Sequence, residues 1–346
     1  MNLPNPAQNA VFAIENKLKR NHVVQSELFK RKIRWDFPMS INLETTNHCN
    51  LRCIMCPRHL TDRGFGLMDD GLYQKLIDEI AEKGPVLTLT LIKDGESLIH
   101  PRVHELIKYA KERKAAHRIE IFSNGILLDE DRSVKIIESG LDVLNISIDA
   151  MNPETYKKIK GRDQYEMVVK NTKRFAEIKK EMGAKTPLLV AKFIGMTENA
   201  EQLQEYKSFW KPIADQVLIS PYHNYAGGTS DRKLKSQKDA KCRYPCLVTW
   251  FNPVVLWDGL VTPCCVNFMK NELIMGDVKT QTIEEVWQSD KYNKLRADMI
   301  RGDMSEWKTC SRCTYWENFV NMTGWLENKE KNLENPYLPQ SQVSTV

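Results

Sequence analysis

Three cysteines stand within eight residues, Cys49, Cys53 and Cys56, in the segment CNLRCIMC. Their spacing, C-x3-C-x2-C, does not suit a structural zinc site, which wants two C-x2-C-like pairs and four closed ligands. It suits a cubane iron–sulfur cluster held by three thiolates on three of its irons. The fourth iron is then open to a small chelating ligand, such as the amine and carboxylate of an amino acid.

A second group follows. Six of the nine cysteines, with four of the tryptophans, lie between residues 242 and 313. Cys246, Cys264, Cys310 and Cys313 run in the order C-x17-C-x45-C-x2-C and offer four ligands on a hairpin–helix unit. A second cluster or a four-thiolate zinc would both fit that set. Neighbouring strand positions point to opposite faces, so Cys265 is not expected to share a cluster with Cys264. Cys242 is an alternative to Cys246. Either spare cysteine is otherwise a buried thiol or a hydrogen-atom donor.

The elements that must position these thiols alternate between the two periods of regular structure. SINLET (40–45), VLTLTLI (86–92), RIEIF (118–122), DVLNISI (142–148), PLLVAKFI (187–194) and QVLIS (216–220) read as strands. Helices are predicted between them at 72–83, 103–114, 132–139, 167–182 and 199–210. Crossovers of this kind make parallel pairs, and the repeated unit makes an α/β sheet that curves toward a barrel. Six units are fewer than the eight of a closed barrel, so an open, partial (β/α)6 barrel is expected. Asp258-Gly259, between VVLW and LVTP, predicts a two-residue hairpin in a small C-terminal extension. A helix over IEEVWQSDKYNKLRADMI (283–300) and then CSRC (310–313) complete that extension.

The implied divisions are a helical lead-in at 1–37, the barrel at 38–235, the cysteine-bearing extension at 236–325 and a polar tail at 326–346. Residues 221–241 read as a linker or loop. Tyr222, His223 and Tyr225, just after the sixth strand, are candidates for a cavity wall; no proton acceptor is assigned.

The formal charge of +5 over 346 residues is too small to imply nucleic acid or a membrane surface. No apolar run reaches the roughly 18–20 residues that span a bilayer, and the N-terminus lacks a signal pattern. A cytoplasmic protein is expected. Nine cysteines in a reducing compartment favour metal binding or catalysis over disulfides.

With its three-cysteine loop after the first strand, the chain resembles the radical S-adenosylmethionine (radical SAM) enzymes. The resemblance implies that the open iron binds the methionine moiety of SAM. Cleavage of the sulfonium then releases a 5′-deoxyadenosyl radical that abstracts a substrate hydrogen. An aromatic residue usually precedes the third cysteine; Met55 stands there, and its thioether can pack against adenine. KDGESLIHP occupies the place of the family's Gly-Gly-Glu-Pro turn, with Gly95 and Glu96 matching and Asp94 and Ser97 departing. The resemblance gives Glu96 the SAM amino group. It makes Ser123 and Asn124 of FSNG, and Ser147 and Asp149 of ISIDA, candidates for the ribose or carboxylate of SAM.

The second cysteine group resembles the SPASM/twitch extensions that hold auxiliary 4Fe–4S clusters. No cysteine follows Cys313, so the short, one-cluster twitch pattern fits better. One cluster would make a substrate radical and the other would remove its electron. The implied reaction is two-electron oxidation of a sugar, polyol or aminocyclitol, as in twitch-type aminocyclitol dehydrogenases. An external reductant such as flavodoxin or ferredoxin is implied as well. The alternatives are crosslinking or epimerisation of a peptide, and a non-catalytic iron–sulfur electron carrier.

Overall fold

The computed structural model describes residues 36–61, 63–233, 245–268 and 273–317. All but the last two residues of the expected N-terminal helical extension, Cys242 and the polar tail lie outside the described residues.

Six strands form a parallel sheet in chain order: β1 (Ser40–Leu43), β2 (Val86–Thr90), β3 (Ala116–Ser123), β4 (Val143–Ser147), β5 (Leu188–Gly195) and β6 (Gln216–Pro221). The crossovers are α1 (Asp70–Glu82), α2 (Val103–Glu112), α3 (Glu130–Glu138), the pair α4 (Pro153–Lys160) and α5 (Tyr165–Glu181), and α6 (Leu203–Trp210). This is the expected α/β architecture, a partial barrel, with six strands joined by five helical crossovers among the described residues.

The strands alternate cleanly. Ile41, Leu89, Ile121, Ile146 and Ala191 are fully buried in one core with Leu76, Ile80 and Ile107 of the helices. Many of the intervening positions are polar, although Phe122, Val143, Val190 and Ile194 are not, and the polar ones meet their neighbours across the strands. Arg118 is in register with Thr88 and donates to its hydroxyl at 3.2 Å; Thr90 is in register with Glu120 and donates to it at 3.2 Å. Ser147 is in register with Lys192. Parallel sheets covered on both faces are apolar on both. This one has a polar inner face, as a barrel with a lined interior requires.

One crossover helix was not expected. PETYKKIK has too few apolar positions to show a period, yet it carries both end signals. Asn152 caps the N-terminus through Thr155 N, Pro153 takes the first turn, and Gly161 ends the helix with φ at +75°.

The other edge of the sheet is extended. β7 (Val254–Val255) pairs parallel with β1, and β8 (Leu260–Thr262) and β9 (Gly276–Asp277) follow antiparallel. The barrel and the extension therefore share one nine-stranded sheet. The hairpin turn differs from expectation. Leu256 N–H bonds Leu260 O at 2.8 Å, which encloses three residues, with Gly259 left-handed at φ +88°. The single helix expected at 283–300 is two, α7 (Ile283–Trp287) and α8 (Asp290–Arg301). Ser289 breaks them by capping α8 through Tyr292 N. A last short helix, α9 (Lys308–Arg312), carries Cys310.

Candidate functional site

The loop after β1 places Cys49, Cys53 and Cys56 together, each half-buried. Burial pushes the Cys53 thiol to about 12; Lys160 pulls it down, and the neighbouring Cys56 and Cys49 add to the rise. Burial likewise takes Cys56 to about 11, against the Arg58 N–H that favours its thiolate. Thiols this poorly solvated do not ionise alone at neutral pH. They require a strongly positive partner, and an iron cluster is one.

The unexpected helix α4 holds this loop. The carbonyls of Ile159 and Lys160, in its last turn, accept from Ile54 N–H at 2.9 Å and Arg52 N–H at 3.3 Å. Those carbonyls have no partner inside the helix, so the loop satisfies them. A Cβ on Gly161 would lie 2.8 Å from Arg52 O. Met55 is buried against Ile159, Met196 and Tyr222.

The DGES turn docks on the same loop. Glu96 N–H bonds His48 O at 2.8 Å. A Cβ on Gly95 would stand 2.1 Å from Thr46 O, so only glycine permits the contact. Gly95→Ala should therefore separate the turn from the loop. The expected cost is about 1–3 kcal/mol of stability, with weakened SAM binding, measured by denaturation and by titration calorimetry. An alanine variant with unchanged SAM affinity would show that the close approach is dispensable.

Glu96 is buried, and its carboxylate accepts from Leu98 N at 3.0 Å, Asn124 N at 2.7 Å and the Ser123 hydroxyl. A carboxylate has about four acceptor positions, so one is left. Burial raises the Glu96 pKa, and these bonds pull it back. Ser123 also accepts from Gly125 N–H at 2.9 Å, and Asn124 donates to Asn50 at 2.7 Å. Ser147 is half-buried, with no partner for its hydroxyl among the described residues. Asp149 is different: fully buried with φ at +62°, it accepts from Ile194 N–H at 2.6 Å and from Lys160 Nζ at 2.5 Å. Both of its oxygens are engaged inside the protein.

Sequence reasoning missed a buried chain of four charges. Arg63 holds Glu44 through two bonds, at 2.8 and 2.9 Å, and Asp94 at 2.5 Å; Lys93 pairs with the other oxygen of Asp94. Glu44 extends the polar face of β1 and was readable by alternation. Arg63 and Lys93 sit on loops with no local signal.

In the extension, Cys246, Cys264, Cys310 and Cys313 line one small, almost wholly apolar cavity with Met299 and Trp316. Burial raises Cys264, while the N–H groups of Val266 and Asn267, and Lys93, favour its thiolate. Cys265 is absent from that lining. The reason is not strand alternation, because β8 ends at Thr262 and both cysteines sit in the turn beyond it. Burial takes Cys265 to about 12, with Cys264 adding and Lys93 opposing.

Tyr222 is buried, with its hydroxyl bonded to Thr229 at 2.6 Å. His223 packs on Tyr225 and Tyr315, with ring centroids 4.1 and 4.7 Å away, and burial lowers its pKa to about 4. Tyr225 is half-buried; its ring meets Phe268 edge-on with centroids 5.1 Å apart and lines a cleft with Pro57, Val266 and Thr309. The ring thus lies between the first cysteine loop and the extension.

Among the described residues, no three His, Cys, Asp or Glu side chains meet closely enough to hold a single metal ion. A cubane carries its thiolates on separate irons. The three thiols of the loop after β1 and the four around the apolar cavity are donor sets that cubanes take.

The chain matches the radical SAM superfamily over residues 43–206 and the iron–sulfur cluster-binding SPASM domain over residues 246–314. It belongs to the radical SAM superfamily. Its cofactors are a 4Fe–4S cluster, an auxiliary cluster and S-adenosylmethionine. No helix among the described residues of this radical SAM enzyme is long and apolar enough to cross a membrane.

It is similar to the tungsten-containing aldehyde ferredoxin oxidoreductase cofactor-modifying protein of Pyrococcus furiosus, at 24% identity over 73% of this chain and 82% of that one. It is 32% identical to a probable GTP 3′,8-cyclase of Methanocaldococcus jannaschii, over 55% of this chain and 59% of the relative. Two solved structures share the fold. BtrN in complex with AdoMet and 2-DOIA aligns at TM-score 0.54 and 19% identity, over 80% of this chain and 92% of that one. Streptococcus suis SuiB bound to precursor peptide SuiA aligns at 0.62 and 18%, over 86% and 73%.

Proposed function

We propose that this radical SAM enzyme oxidises a small polar substrate, a sugar, polyol or aminocyclitol, by two electrons. The observation that carries the reading is a cleft lined by Pro57, next to Cys56 of the first thiol group, by Tyr225, and by Val266, Phe268 and Thr309 of the extension, near Cys264 and Cys310 of the second. A substrate in that cleft would lie between the two sites. The polar inner face, with Thr90, Glu120, Ser147 and Lys192, suits a substrate with many hydroxyl or amino groups.

In this reading Cys49, Cys53 and Cys56 hold the first cluster, and Cys246, Cys264, Cys310 and Cys313 hold the auxiliary one. Gly95 lets the turn approach, and the last acceptor position of Glu96 takes the SAM amino group. Ser147 and Asn124 are placed for the carboxylate or ribose, and Met55 for adenine. Ser123 steadies Glu96, and Asp149 acts through Lys160 on the cysteine loop. When bound, the clusters and SAM supply a 5′-deoxyadenosyl radical that takes a substrate hydrogen, and an acceptor for the electron left behind. The substrate loses one hydrogen atom, one proton and one electron, and its C–O or C–N single bond becomes double. A reduced flavodoxin or ferredoxin in the cytoplasm is the proposed electron source.

The test uses a panel of polyols and aminocyclitols deuterated at each carbon. Deuterium should appear in 5′-deoxyadenosine, and the product should be a carbonyl or imine. Deoxyadenosine formed with no oxidised product from any member would refute the reading.

One observation favours peptide epimerisation instead. Cys265 is a free thiol outside the four-cysteine cavity, near Tyr225 and Tyr315. It is therefore placed as a hydrogen-atom donor. Cys265→Ala should leave an oxidation intact and stall an epimerisation. Superfamily membership argues against the bare electron carrier, which gains nothing from a three-thiol site.

A further inference from the structure

Lys93 leaves the barrel at the end of β2 and reaches the extension. Its side chain is fully buried. The ammonium pairs with Asp94, donates to Asn267 O at 2.8 Å, and lies 3.8 Å from the centre of the Phe268 ring. Asn267 belongs to the turn that follows Cys264 and Cys265. The N–H of that same residue, with the N–H of Val266, bonds the Cys264 sulfur. The turn is thus gripped at one end by a thiol of the four-cysteine cavity and at the other by a lysine from the turn after β2.

Lys93 is also the terminal member of the buried series Glu44–Arg63–Asp94–Lys93. Its formal charges cancel, and its two ends are unlike. Glu44 accepts from the backbone of Asp94 and of Trp257, each at 3.2 Å, whereas Lys93 puts a positive charge beside the second thiol group.

We propose that Lys93 is a positioning residue that raises the electron affinity of the auxiliary site. The inference rests on the assignment of Cys246, Cys264, Cys310 and Cys313 as its ligands. A cluster on four thiolates is negative, and reduction adds to that charge. A buried cation close by stabilises the reduced form more than the oxidised one, because little solvent screens it. The electron from a substrate radical then has a favourable destination. Asp94 opposes the effect, and Arg63 limits that opposition by holding Asp94 from the far side.

The test is a redox titration of the reconstituted full-length protein followed by electron paramagnetic resonance. The auxiliary signal is the one that added SAM leaves unchanged. Lys93→Met should lower its midpoint potential, and Lys93→Arg should restore it. Asp94→Asn should move it the opposite way, upward, which mere loosening of the fold would not do. Full iron content in Lys93→Met with an unshifted potential overturns the proposal. Should Lys93→Met fail to retain the second cluster, Asp94→Asn decides, and an unchanged or lower potential there overturns it. A wild-type protein with no SAM-insensitive signal refutes the ligand assignment itself, and the role of Lys93 falls with it.

Discussion

Replacement of Cys310 and Cys313 together by alanine should leave SAM cleavage measurable and reduce substrate oxidation to background. Iron should fall from about eight to about four per chain if both clusters are cubanes. The two thiols are half of the set around the cavity of the extension, on and just after α9, and none of the three loop cysteines touches that cavity. The loop is held instead by α4 and by the Gly95 turn, both parts of the barrel. Folding is the main confounder, because Cys310 is buried beside Trp307 and Trp316 in the common core. Circular dichroism and the iron at the first site must therefore be read on the same sample. A folded variant that keeps the first cluster and oxidises substrate at the normal rate would remove the main support for a dehydrogenase. The mirror experiment, Cys49, Cys53 and Cys56 to alanine, should also leave about four irons but no cleavage.

Lys160→Met should destabilise the chain by about 3–5 kcal/mol, the usual cost of leaving one partner of a buried pair without the other. Asp149 would keep only the Ile194 N–H for a carboxylate with no solvent contact. Restoring neutrality with Lys160→Met plus Asp149→Asn should recover most of the loss; a double variant no better than the single would show that the pair is not what matters. The pH dependence has a definite sign. Burial opposes the Lys160 charge, but Asp149 and Cys53 outweigh it, and its pKa lies above that of an ordinary lysine. Its contribution is complete below the unfolded lysine value, about 10.4, and is lost only as pH rises through the folded one. The deficit of the variant, measured by denaturant titration, should therefore stay flat from about pH 6 to 9. A deficit that vanishes within that window would assign the stabilisation to another group.

The strands were legible because one face of each meets the helices and must be apolar, as in Ile119 and Ile121 of β3. The first thiol group was legible from the short spacing of its three cysteines, and the second from the crowding of six cysteines into residues 242–313. Helix α4 was obscured by length: with only Tyr156 and Ile159 apolar, its face is too narrow for a period. Its capping residues were present and were the usable signal. At Asp149 the sequence left a different choice open. A side chain at the end of a strand can serve a ligand or a neighbour, and the neighbour that engages it, Lys160, lies on the missed helix. Apart from Glu44, readable by alternation, the four-charge series could not be read. Its members come from three segments, and only the folded chain shows which acid meets which base.

The pairing of β7 with β1 bears on any attempt to dissect the chain. Ser40, Asn42 and Glu44 donate their N–H groups to Phe251, Pro253 and Val255, at 2.9, 3.0 and 2.8 Å. A fragment that stops before the hairpin would expose this row as an open sheet edge, flanked by apolar Ile41 and Leu43. Such edges recruit strands from other molecules. The barrel expressed alone should therefore be poorly soluble and prone to self-association, whatever its cysteines bind.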